Sequence, residues 1–138
     1  MSLETTTYEE VQSQINQLRS FCELHSIFDA ELLILNYTSL IEEIVQKLDY
    51  YLEIVKQKVE RIKAVKSTAL KKRMVDDLRG EIRAYTQQTE RLLYDHSRIF
   101  ADLGDNARVI MEYLYLIRCS MVSYLNYRLS QYMNAVTI

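Results

Sequence analysis

The chain has 138 residues and a formal net charge of −2. That length fits one domain, and the near-neutral balance gives no global field of the kind that marks a nucleic-acid binder. Proline is absent and glycine occurs only at Gly80 and Gly104, which excludes an all-β or α/β architecture built on many turns.

A first helix is predicted over about 8–25. Val11, Ile15, Leu18, Cys22 and His25 form its seam at alternating 4–3 spacing. Thr5, Thr6 and Thr7 offer N-cap oxygens, and Glu9 and Glu10 suit the positive end of the helix dipole. Ser26 and Asp29 are the next capping residues, so a bend falls near Ile27.

The second helix is predicted over 29–65. Ile34, Ile41, Leu48, Val55 and Ile62 fall seven apart; Tyr37, Ile44, Tyr51, Lys58 and Val65 form the partner row three residues further on. This is the pattern of a helix that buries one long seam against another. At 1.5 Å per residue it spans roughly 55 Å, too long for a compact core of this size. Lys66, Ser67, Thr68 and Ala69 form the hairpin tip, with Ser67 and Thr68 able to cap the next helix.

The third helix, over 69–103, reads Val75, Leu78, Ile82, Tyr85, Thr89, Leu92, His96, Ile99 and Leu103, a 3–4 alternation with two polar members. Leu103, Gly104, Asp105 and Asn106 give a stop and a new start. The fourth helix, over 106–138, carries only Glu112, Arg118 and Arg128 as charges between Val109 and Ile138. Such a helix is surrounded by others. The first three helices are expected to cover part of it, and a partner to cover the rest. The self-association residues read from it are Ile110, Tyr113, Leu114, Ile117, Met121, Tyr124, Leu125 and Tyr132.

Charge is distributed unevenly. Glu4 to Glu53 holds ten acids against Arg19 and Lys47; Lys56 to Arg73 holds eight bases against Glu60. Lys63, Lys66, Lys71, Lys72 and Arg73 make a basic tip suited to an anionic surface. With no aromatic between them, single-strand stacking is disfavoured. The acid pairs Glu9–Glu10, Glu42–Glu43 and Asp76–Asp77 are adjacent in sequence and read as solvated faces, because catalytic carboxylates must converge across a cleft. His25 and His96 fall on seams, and Asp95 points about 100° away from His96 on the helix, so the two do not share a site. Cys22 and Cys119 lack metal-ligand spacing and read as reduced core residues. No catalytic, cofactor-binding or metal-ligating constellation emerges, so the chain reads as a non-enzyme.

The run from Ser123 to Ile138 resembles the end of the cytosolic stalk helix of CorA-type divalent-cation transporters. Arg128, Met133, Thr137 and Ile138 match that family's pattern in register, Val136 stands where a leucine is usual, and Asp95–His96 matches part of a Tyr-Asp-His stretch earlier on the stalk. The long second helix is similar to those packed beside it. The resemblance implies a pentameric stalk and a role for Mg²⁺, but assigns neither to particular residues. The family's Gly-Met-Asn signature, its membrane helices and its preceding α/β domain are absent. The chain is therefore expected to be a stalk fragment ending at the membrane boundary, or a stand-alone relative.

The expectation is thus an all-α, elongated antiparallel bundle or coiled-coil hairpin of about four helices, a single domain over 1–138. Its expected role is an assembly or stalk module, cytoplasmic and membrane-proximal, forming a homo-oligomer or binding a helical partner. The alternatives are an adaptor or chaperone that receives a partner helix on its C-terminal helix, and an electrostatic binder using the basic tip. The start of the chain lacks a signal-peptide core, and no run of eighteen apolar residues forms a membrane span.

Overall fold

The computed structural model describes residues 3–136, with side chains from Tyr8 onward. Four α-helices follow one another: α1 (Leu3–Leu24), α2 (Ala30–Lys63), α3 (Thr68–Ser97) and α4 (Ala107–Met133). Short 3₁₀ turns at Arg98–Asp102 and Gly104–Asn106 join the last two. The helices run up, down, up and down. Tyr8 meets Tyr124 and Phe21 meets Tyr113, so α1 and α4 are antiparallel. Tyr37 meets Phe100, and Tyr51 stacks on Tyr85 at 4.0 Å, so α2 and α3 are too. The 34 residues of α2 span about 51 Å, so the bundle is elongated as expected.

Local chemistry accounts for the boundaries. α1 is already helical at Leu3, so the three threonines are helix interior rather than caps; each costs under about 0.7 kcal/mol there relative to alanine. At its other end Ser26 adopts the left-handed conformation, φ 54°. The Ile27 N–H donates to the Cys22 carbonyl and the Ser26 N–H to that of Glu23. This is a Schellman cap with serine where glycine is usual. The hairpin tip lies where the sequence puts it: the Ser67 hydroxyl accepts from the Leu70 N–H at 3.3 Å. Gly104, at φ 80°, makes the predicted break before α4. α3 ends earlier than predicted, at Ser97, and α4 is helical only to Met133; Thr137 and Ile138 lie outside the described residues.

The core seams are less regular than the heptad reading. In α2 the buried positions are Ala30, Ile34, Tyr37, Ile41, Ile44, Leu48, Leu52, Val55, Val59 and Ile62. Two successive four-residue steps, Ile44 to Leu48 to Leu52, replace the strict alternation. Tyr51, Lys58 and Val65 thereby move to the half-buried edge. In α3 the seam passes through Thr86, Thr89, Leu93, Ser97 and Phe100, leaving Leu92, His96 and Ile99 exposed. A straight α-helix has 3.6 residues per turn, so a 3.5-residue stripe drifts around it unless the helices supercoil. The extra four-residue steps keep the stripe on the core.

Candidate interaction surfaces

α4 is the hub of the bundle, packing most extensively on α1 and also on α3 and α2. This corrects the expected self-association face. Ile110, Leu114, Ile117, Met121, Tyr124 and Leu125 are all buried within the chain, and Tyr113 and Tyr132 half-buried. The first six have no surface to offer. Three neighbouring helices cover most of the apolar girth, and only Val109, Tyr115 and Leu116 are left as exposed large apolar residues of α4 among the described residues.

The polar members of the seams are satisfied locally. Lys58 pairs with Glu81 across the hairpin at 2.6 Å. The Thr86 and Thr89 hydroxyls donate to the Ile82 and Tyr85 carbonyls. His96 is exposed, with Nδ1 3.0 Å from the Leu92 carbonyl, and His25 is exposed with its ring 4.4 Å from that of Phe21. Neither histidine is a seam residue: His25 lies past the end of α1 at Leu24, and at His96 the α3 seam has shifted to Leu93 and Ser97. Cys22 is buried, and burial pushes its thiol up; Cys119, expected in the core, is exposed.

Arg118 and Arg128, the two arginines in the apolar stretch of α4, find partners on other helices. Arg128 donates to the Tyr124 hydroxyl at 2.8 Å and lies 3.4 Å from Asp49 on α2. Arg118 lies over the rings of Tyr94 on α3 and Tyr115, at 5.1 and 5.3 Å, a favourable arrangement for a guanidinium. Glu9–Glu10, Glu42–Glu43 and Asp76–Asp77 are solvent-exposed; Glu43 pairs with Lys47 and Asp76 with Arg79. Among the described residues no three His, Cys, Asp or Glu side chains converge to hold a metal ion.

Two surfaces stand out. Ten of the thirteen exposed large apolar residues among the described residues belong to the half of the bundle that carries the α1–α2 and α3–α4 turns. The most open are Leu24, Phe28, Leu32 and Leu35, at 79, 78, 63 and 56% exposure. Phe28 and Leu35 line a groove of about 390 Å³ whose rim carries Arg19, Glu23 and Glu31. The 4–4–3 spacing of the four apolar residues was visible in the sequence, but it lies off the seam and a search for core stripes passes over it. The second surface is the basic tip at the opposite end. Lys63 pairs with Glu60 at 3.3 Å. Among the described residues no carboxylate pairs with Lys66, Lys71, Lys72 or Arg73.

No helix among the described residues is long and apolar enough to cross a membrane. Comparison with known protein families, with characterised proteins and with solved structures finds no match for this chain. The protein belongs to the class of all-α, up-down-up-down helical bundles.

Proposed function

We propose that the chain is a non-enzymatic assembly module, a rigid helical spacer that self-associates through the apolar face at its α1–α2 turn. The supporting observation is the exposure of Leu24, Phe28, Leu32 and Leu35 around the α1–α2 turn, with Phe28 and Leu35 lining a groove that has a charged rim. Contiguous apolar surface rimmed by polar groups marks interaction sites. With about 200 Å² per large side chain, the stated exposures leave on the order of 500 Å² open. Two copies joined across a two-fold axis then bury roughly 1,000 Å², the area at which specific interfaces begin. Arg19 and the acids Glu23 and Glu31 give the rim both signs, so a two-fold contact can set opposite charges against each other.

Sedimentation velocity over a range of concentrations tests this. The expected result is a concentration-dependent dimer or higher oligomer that Phe28→Glu and Leu35→Glu convert to monomer without loss of helicity. A wild-type chain that stays monomeric throughout, or variants that associate equally well, would overturn it. A monomer that binds apolar dye and releases it to an added amphipathic helix would be the adaptor instead. The stalk reading adds one expectation, a shift in oligomer population when magnesium is added.

A further inference from the structure

We propose that the α2–α3 hairpin tip is a docking point for an anionic lipid bilayer, with Leu70 as a small apolar wedge between basic side chains. The site lies at the opposite end of the bundle from the self-association face and stands or falls independently of it.

From Arg61 to Val75 the chain has six bases and no acid. Arg61, Lys63, Lys66, Lys72 and Arg73 are exposed and Lys71 half-buried. Two helix ends and the four-residue link at 64–67 bring these charges to one blunt end of the hairpin. Leu70 lies among them in the first turn of α3, 46% exposed. A leucine left nearly half open to water inside a basic cluster gains only part of its burial from the fold. It gains at a membrane interface, where the acyl boundary takes the side chain and the anionic headgroups take the lysines.

The bases also work against their own helix. The first turn of α3 carries no acid, and Lys71, Lys72 and Arg73 follow immediately at the end where the dipole is positive. Anionic headgroups relieve that repulsion, which the bundle itself does not. A nucleic-acid duplex suits the tip less well. The charges are gathered at an end rather than along a groove-tracking length, and a phosphate backbone has no place for a leucine.

Each Lys or Arg near an anionic surface strengthens binding by about five-fold, as its Coulomb attraction adds to that of its neighbours. Neutralising Lys71, Lys72 and Arg73 together is expected to weaken binding by about 100-fold. Replacing Leu70 by Asn removes the wedge and is expected to weaken it several-fold. The experiment is flotation of the full chain with vesicles of phosphatidylcholine alone or mixed with phosphatidylserine, at low and high salt. Binding to the mixed vesicles only, reduced by salt and lost in Lys71→Gln/Lys72→Gln/Arg73→Gln, supports the proposal. Circular dichroism confirms that the variants keep their helices. Absence of binding to the mixed vesicles at low salt overturns it. So does binding insensitive to the triple substitution, or a random-sequence DNA duplex that competes the chain off the vesicles at equal phosphate concentration. Full binding by Leu70→Asn removes the wedge.

Discussion

Leu92 and Leu93 are neighbours on α3 with the same side chain and opposite surroundings. Leu93 is fully buried, whereas Leu92 is 38% exposed. Truncating each to alanine changes helix propensity by the same amount, so the difference between the variants isolates burial. Leu93→Ala removes a packed side chain and leaves a cavity in the core; losses at such sites run about 2.7–5 kcal/mol. Leu92→Ala leaves a space that water can fill, and about 1 kcal/mol or less is expected. With 138 residues, the unfolding entropy is about 0.3 kcal/mol/K. The midpoint of thermal unfolding should therefore fall by about 9–17 °C for Leu93→Ala and by about 3 °C or less for Leu92→Ala. Circular dichroism at dilute concentration, with urea titration alongside, measures both. Equal losses, or a larger one at Leu92, would mean that the seam follows the 3–4 alternation through His96 and Ile99 and that the α3 packing described above is wrong.

Two glycine exchanges should act in the same direction. A Cβ at Gly80, inside α3, meets no atom within 4 Å, so Gly80→Ala should stabilise by about 0.5–1 kcal/mol. Ser26→Gly should relieve the left-handed strain at the α1 cap by up to about 1 kcal/mol, and a lowered urea midpoint for either variant would contradict this. Burial also pushes the Tyr37, Tyr51 and Tyr85 phenols above their ordinary value, with Arg118 partly offsetting the rise at Tyr37. A raised folded pKa contributes stability that is complete below the unfolded value of about 10 and is lost as pH climbs through the folded one. The bundle should therefore weaken in alkali. The Tyr37 hydroxyl is buried with no hydrogen-bond partner among the described residues. Tyr37→Phe should thus cost nothing at neutral pH and should blunt the alkaline loss. Urea midpoints at neutral and alkaline pH measure this, and a clear neutral-pH loss would show that the hydroxyl has a partner.

The helix count, the hairpin tip at Ser67 and the break at Gly104 were legible because each rests on local chemistry: periodicity, a capping oxygen, a positive φ. The α1 seam from Val11 to Cys22 and most of the α2 seam were legible for the same reason. The phase of a seam over thirty residues was not. It depends on whether the helices supercoil, and that is decided by neighbours the sequence does not place. Leu92 and His96 were misread on that account, as were Tyr51 and Lys58. The role of α4 was half legible. Its scarcity of charge correctly implied enclosure, but whether a residue such as Leu125 is enclosed by its own chain or by another depends on tertiary packing. The apolar face at Phe28 and Leu35 escaped notice because its short spacing straddles a turn and belongs to no core stripe.

The most extensive packing in the bundle joins its first helix to its last, and this sets an order of folding. Closing the α2–α3 hairpin spans only the link at 64–67, whereas bringing Phe21 to Tyr113 closes a loop of about 90 residues in an unfolded chain. The longer closure costs about 3 kcal/mol more in chain entropy. That cost falls once α2, α3 and α4 have zipped together through their short connections, because the loop is then mostly rigid. α1 is therefore expected to dock last, onto a three-helix unit whose open flank is the row of α4 side chains it finally covers.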